Sequence, residues 1–259
     1  MTGSPDEFYV GYLPQAPAAL GRWVRTRALL VALAMASVSA ALVTSQQPFD
    51  PGVFEFGTER TVDGVVLATP HPQLLVERPG GGTSSWLLVS FGKSGADAAV
   101  AGLDGRAVRA TGTLVYRGDT TMLELADDGL VPMDPDAASP PADDGSGVDD
   151  AVDDLGEHTF IGEIVDSKCF LGVMKPGRGK VHKACAVRCI SGGMPPMLLV
   201  RGMRGEAESL LLLTDEQGGQ VNDRVLDLVA EPVSIRGRLL RSGGRLMLRS
   251  DPATYTRID

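Results

Sequence analysis

The chain has 259 residues, 43% of them hydrophobic and only 5% aromatic, with 32 glycines and 17 prolines. That length holds two small domains, and that composition favours aliphatic cores with short strands and many turns over long helices. The net charge is −9, and nine acids lie between Asp134 and Glu157, so the remainder is near neutral and carries no basic patch of the kind that follows phosphates; no nucleic-acid partner is expected.

Residues 1–27 read as a cytoplasmic tail. Its aromatic stretch, Phe8, Tyr9 and Tyr12, is suited to a membrane interface or a partner subunit, or belongs to a disordered tail. Residues 28–45 (ALLVALAMASVSAALVTS) carry no charge, with Arg22, Arg25 and Arg27 just before them. As a helix they span about 27 Å, at ~1.5 Å per residue. With snorkelling arginines that nearly crosses a hydrocarbon core of ~30 Å. Basic residues on the N-terminal side place that end in the cytoplasm. The expectation is a single-pass protein of the bacterial inner (cytoplasmic) membrane, its bulk periplasmic or otherwise extracytoplasmic. The rival is a cleaved signal peptide, for which Val38, Ser39 and Ala40 are suitably small. Against it stands a long leading segment containing Asp6 and Glu7.

Two segments beyond the apolar run share a plan. The first, residues 55–133, opens with TVDGVV around Gly64 and closes with AVRATGTLVY around Gly112. The second, residues 158–259, opens with TFIGEIV around Gly162 and closes with VSIRGRLL around Gly237. Each closing run meets a glycine turn and then another alternating run, which predicts hairpins. Between them lie short apolar runs and one helix-like piece, residues 96–103 in the first half and 222–230 in the second, the latter with Asn222 as N-cap. Strand-strand-strand-helix-strand-strand is the order of an OB-like small β-barrel. The fold class expected is therefore mainly β: an N-terminal transmembrane helix and two OB-like barrels, with a generic β-sandwich as the alternative. Residues 134–157, acidic and poor in apolar side chains, are expected to form a disordered linker.

The repeat locates an insertion. Opening to closing glycine runs from 64 to 112 in the first half and from 162 to 237 in the second, so the second is 27 residues longer. Residues 167–195 account for the excess and hold all three cysteines, Cys169, Cys185 and Cys189. Residues 181–190 predict a short helix ended by Gly192 and Gly193. On it His182, Cys185 and Cys189 share one face, and Cys169 arrives from the end of the opening strand.

Three chemistries fit. One is a Cys3His metal site for zinc or copper on Cys169, His182, Cys185 and Cys189, with Asp166 orienting His182 from behind, or serving merely as a turn residue at the strand end. The second is a disulfide from Cys169 to Cys185 or Cys189 that staples an interaction subunit without cofactor. The third is thiol redox chemistry, with Lys168, Lys183 or Arg188 lowering a thiolate pKa, although no Cys-x-x-Cys is present. His71 and His158 read as loop residues. No phosphate loop, nucleophile elbow or His-Glu-x-x-His occurs, so a non-catalytic protein is expected over an enzyme.

The residues Gly162, Asp166, Cys169, His182, Cys185 and Cys189 stand in the pattern Gly-x-Ile/Val-x-Asp-x-x-Cys followed by His-x-x-Cys-x-x-x-Cys. This resembles a motif of bacterial single-span envelope proteins of no established activity. The FYVGYLP run at residues 8–14 before one span is similar to members of that group. The resemblance implies a membrane location and the position of the site; another subunit of a membrane complex is a further candidate partner, beside the lipid bilayer.

Overall fold

The computed structural model describes residues 17–45, 52–133, 152–200 and 208–258. Residues 17–45 and 52–258 belong to two separate compact units.

Helix α1 (Ala18–Ser45) has 28 residues, none of them buried. It starts ten residues before the apolar run, because nothing from Ala18 to Arg27 breaks a helix and the three arginines are good formers. Over an 18-residue window its mean hydropathy reaches 2.1, so among the described residues one helix is long and apolar enough to cross a membrane. Two hydroxyls near its end turn back on the backbone: Thr44 donates to the Ala40 carbonyl at 3.0 Å and Ser45 to the Leu42 carbonyl at 2.9 Å. Such internal pairing is what lipid surroundings require of polar groups.

In the second unit, β1 (Val53–Leu67), β2 (Gln73–Glu77), β3 (Thr83–Val89), β4 (Ala107–Arg117) and β5 (Thr120–Pro132) close into a barrel in the order β1-β2-β3-β5-β4. The pairing of β3 with β5 is parallel. The second barrel repeats this with β6 (Asp153–Asp166), β7 (Pro196–Val200), β8 (Ser209–Thr214), β9 (Pro232–Ser242) and β10 (Arg245–Arg249), where β8 and β10 pair in parallel. A short β11 (Thr256–Arg257) extends β9. The fold is mainly β, with two closed five-stranded OB-like barrels. The marker glycines have a common cause. A Cβ on Gly64 or Gly162 would lie 2.5 Å from the carbonyl oxygen of Leu75 or Leu199, and one on Gly112 or Gly237 would overlap that of Glu124 or Arg249. Each barrel closes only where these strands approach without a side chain.

Three expectations change. The acidic run does not stay outside the fold. Asp153 to Glu157 extend β6 along β9, with Arg238 at 3.1 Å from Asp154 and 3.7 Å from Glu157. Opposite charges across paired strands stabilise what composition alone marks as disordered. Residues 134–151 of that linker lie outside the described residues. Residues 96–103 form consecutive turns rather than a regular helix. Residues 222–230 form two 3-10 turns, Asn222–Arg224 and Leu226–Leu228, and Asn222 is no N-cap. Its side-chain amide donates instead to the carbonyls of Ile190 and Met194, at 2.8 and 2.9 Å.

The barrels share a core. One buried cluster joins Leu87, Val89, Val115 and Met122 of the first to Cys169, Phe170, Cys189, Met194 and Met197 of the second. Arg245 of β10 is buried in this seam, donating to the Ser85 carbonyl at 2.6 Å and to Gln73 at 3.3 Å. Burial pushes its pKa down to about 10.

Candidate metal centre

The insertion between β6 and β7 is a folded unit. β6 ends at the fully buried Asp166, whose Oδ1 accepts from the Cys169 amide at 2.8 Å. That bond starts the π-helical turn Cys169–Val173. A 3-10 turn, Lys180–His182, then leads into α2 (Lys183–Ser191), matching the helix read from the sequence. Cys185 and Cys189 stand one turn apart on α2, where i and i+4 side chains project alike. Cys169 and Cys189 are buried and Cys185 is half-buried.

The expected four donors fall into two groups. The sulfurs of Cys169, Cys185 and Cys189 lie within 4.8 Å of one another. Asp166, Cys169 and His182 form a second such group, which shares only Cys169 with the first. His182 is the N-cap residue of α2 rather than part of its inward face, and its Nε2 lies 3.1 Å from Asp166 Oδ2. Asp166 thus holds both the turn at Cys169 and the imidazole of His182. Around an ion with bonds of ~2.3 Å, sulfurs sit roughly 4 Å apart, so each group can hold a metal ion after small side-chain adjustments. No disulfide is present: all three cysteines are free.

Protonation is unevenly distributed. Cys189 is pushed below the usual thiol value, first by a hydrogen bond from Cys169, then by Lys93 and Cys185, against burial and the Asp166 charge. Cys169 is pushed up by its bond to Cys189, by burial and by Asp166. Of the two, Cys189 loses its proton more readily than Cys169.

Lys93 was not legible from sequence. It belongs to the exposed loop after β3 in the first barrel, yet its ammonium lies 3.1 Å from Cys185 Sγ. Nothing in a lone lysine beside Gly92 marks it as a neighbour of cysteines in another barrel. The lysines and arginine read as thiolate partners behave otherwise. Lys168 turns away into the first barrel, pairing with Glu124 and donating to the carbonyls of Ser90 and Gly92 at 3.2 and 2.8 Å. Lys183 pairs with Glu231 at 2.7 Å, and Arg188 is exposed. The two barrels therefore exchange lysines: Lys168 crosses one way and Lys93 the other.

His71 lies in the β1–β2 loop as expected, but it is wholly buried with neither ring nitrogen hydrogen-bonded. Burial pushes its pKa down to about 4, with Asp97 opposing. His158 is not a loop residue: it stands exposed in β6, with Nε2 2.9 Å from the Leu155 carbonyl and its ring against Phe160.

No family model matches the chain, and no curated protein matches it. Among solved structures it is similar to a deletion mutant of the single-stranded DNA binding protein from Thermus aquaticus, at 10% identity over 82% of this chain and 97% of that one, with a TM-score of 0.23. The exclusion of a nucleic-acid partner is withdrawn on this finding. A whole-chain charge says little about one barrel face, and barrels of this type include binders of single strands. A likeness of that TM-score assigns no ligand to this chain.

Proposed function

We propose that this is a membrane-anchored, extracytoplasmic protein whose paired barrels hold a soft metal ion, zinc or copper, on Cys169, Cys185 and Cys189. The observation that carries this reading is the set of three sulfurs within 4.8 Å, two of them buried. Thiolates select zinc or copper(I) over harder ions. The carboxylate–histidine pair of Asp166 and His182 is the kind of partner that fixes ligands around a metal. The arginines before the apolar run support a cytoplasmic N-terminus, and the resemblance to envelope proteins supports the membrane location.

A second reading, thiol redox chemistry, has one observation in its favour: Lys93 beside Cys185. A third, a disulfide-stapled scaffold, needs two of the sulfurs to oxidise. Elemental analysis and thiol counting on the purified full chain separate the three. The metal reading expects one ion per chain, three shielded thiols, and loss of the ion in Cys189→Ser. No ion and a single reactive thiol would establish the staple instead, and turnover of a small disulfide without bound metal would establish the redox protein.

A further inference from the structure

We infer that the centre is built for monovalent copper(I), and that Lys93, supplied by the other barrel, sets this preference. The inference rests on the metal reading above and names the ion. Three observations carry it.

The first is the donor set. Among the described residues, no His, Asp or Glu side chain joins the group of three sulfurs: His182 and Asp166 gather with Cys169 but not with Cys185 and Cys189. Structural zinc sites take four protein ligands, whereas three thiolates complete the shell of copper(I).

The second is what stands beside the sulfurs instead. The Lys93 ammonium, 3.1 Å from Cys185, has three donors and no lone pair, so it approaches a thiolate without becoming a ligand. Its charge acts on whatever ion is bound. Three thiolates and one ammonium sum to −2; copper(I) leaves −1 and zinc leaves zero. The ammonium repels a divalent ion twice as strongly as a monovalent one, so its presence shifts the balance toward copper(I). Asp166, beside Cys169, attracts a divalent ion more, but its carboxylate is shared between the Cys169 amide and His182.

The third is the surroundings. Cys169 and Cys189 sit in an apolar cluster with Met194 and Met197, both wholly buried. A sulfur-rich pocket, closed on the side of Cys169 and Cys189, suits a weakly hydrated monovalent ion.

The test is competition between the two ions on the reduced full chain, in the absence of oxygen, with copper(I) and zinc(II) each buffered by a chelator. Thiolates favour copper(I) in general, so the ratio between variants decides. Lys93→Met is expected to move the copper(I)-to-zinc(II) preference about tenfold toward zinc, a modest factor because Lys93 is exposed to solvent. Lys93→Arg, which keeps the charge, is expected to hold the wild-type ratio. An unchanged ratio in Lys93→Met, or a wild type that takes zinc over copper(I) at equal free concentrations, overturns the inference while leaving the metal reading intact. A wild type that binds neither ion overturns both.

Discussion

Glu124 on β5 of the first barrel and Lys168 in the insertion of the second form an ion pair between the barrels, with side chains only 10% and 4% exposed. Lys168 also donates to the Ser90 and Gly92 carbonyls, so its charge is fully partnered. Removing one member of such a pair leaves a buried charge uncompensated. Glu124→Leu and Lys168→Met are each expected to lower stability by about 3 kcal/mol in denaturant unfolding, while the double variant Glu124→Leu/Lys168→Met recovers most of that loss. Additive losses would show that the two residues act independently.

Gly192 provides a second test of the seam. A Cβ there would overlap the carbonyl oxygen of Lys93, the residue that reaches Cys185. Gly192→Ala is expected to cost about 1–3 kcal/mol by overpacking and, by displacing the Lys93 loop, to shift the relative affinity for the two ions toward zinc. Unchanged stability with unchanged affinity would mean that the loop gives way without consequence.

The buried His71 makes stability depend on pH. Its pKa is near 4 in the folded protein against 6.5 for the free group, so between those values the unfolded chain binds the extra proton. Stability is therefore complete above pH 6.5, falls as pH drops toward 4, and levels off below it; the loss amounts to about 3 kcal/mol at 1.36 kcal/mol per pH unit. His71→Leu is expected to flatten that part of the stability–pH curve. The same slope in the variant would assign it to other groups.

Much of this was readable in the sequence, and the reasons are specific. The repeated glycines 64, 112, 162 and 237 are visible because each barrel needs backbone contact at the same two places. The insertion stood out as an excess over that repeat. Cys185 and Cys189 could be paired because helical spacing is local. What stayed hidden depends on contacts distant in sequence. Asn222 has the look of an N-cap but serves to hold the end of α2 through Ile190 and Met194. Gly192 reads as a helix terminator, yet its closeness to Lys93 is a demand of the other barrel. The pairing of Asp166 with His182 was among the readings of the sequence, but its consequence was not: it holds His182 with Cys169 and apart from the other two sulfurs.

Helix α1 separates an anchor from a signal peptide by a simple outcome. Its 28 residues, with a mean hydropathy of 2.1 over an 18-residue window, fit retention in the bilayer. The full chain is expected to remain with membranes through high salt and alkaline washing and to keep its residues before Ala40 in intact-mass measurement. A shortened, soluble chain that starts after Ala40 would identify the segment as a cleaved leader.

The most direct measurement of the central claim is X-ray absorption at the metal edge of the loaded full chain, beside the Cys185→Ser variant. The account predicts a first shell of three sulfurs at ~2.3 Å, reduced by one sulfur in the variant. A shell dominated by nitrogen and oxygen, or one unchanged in Cys185→Ser, would contradict it.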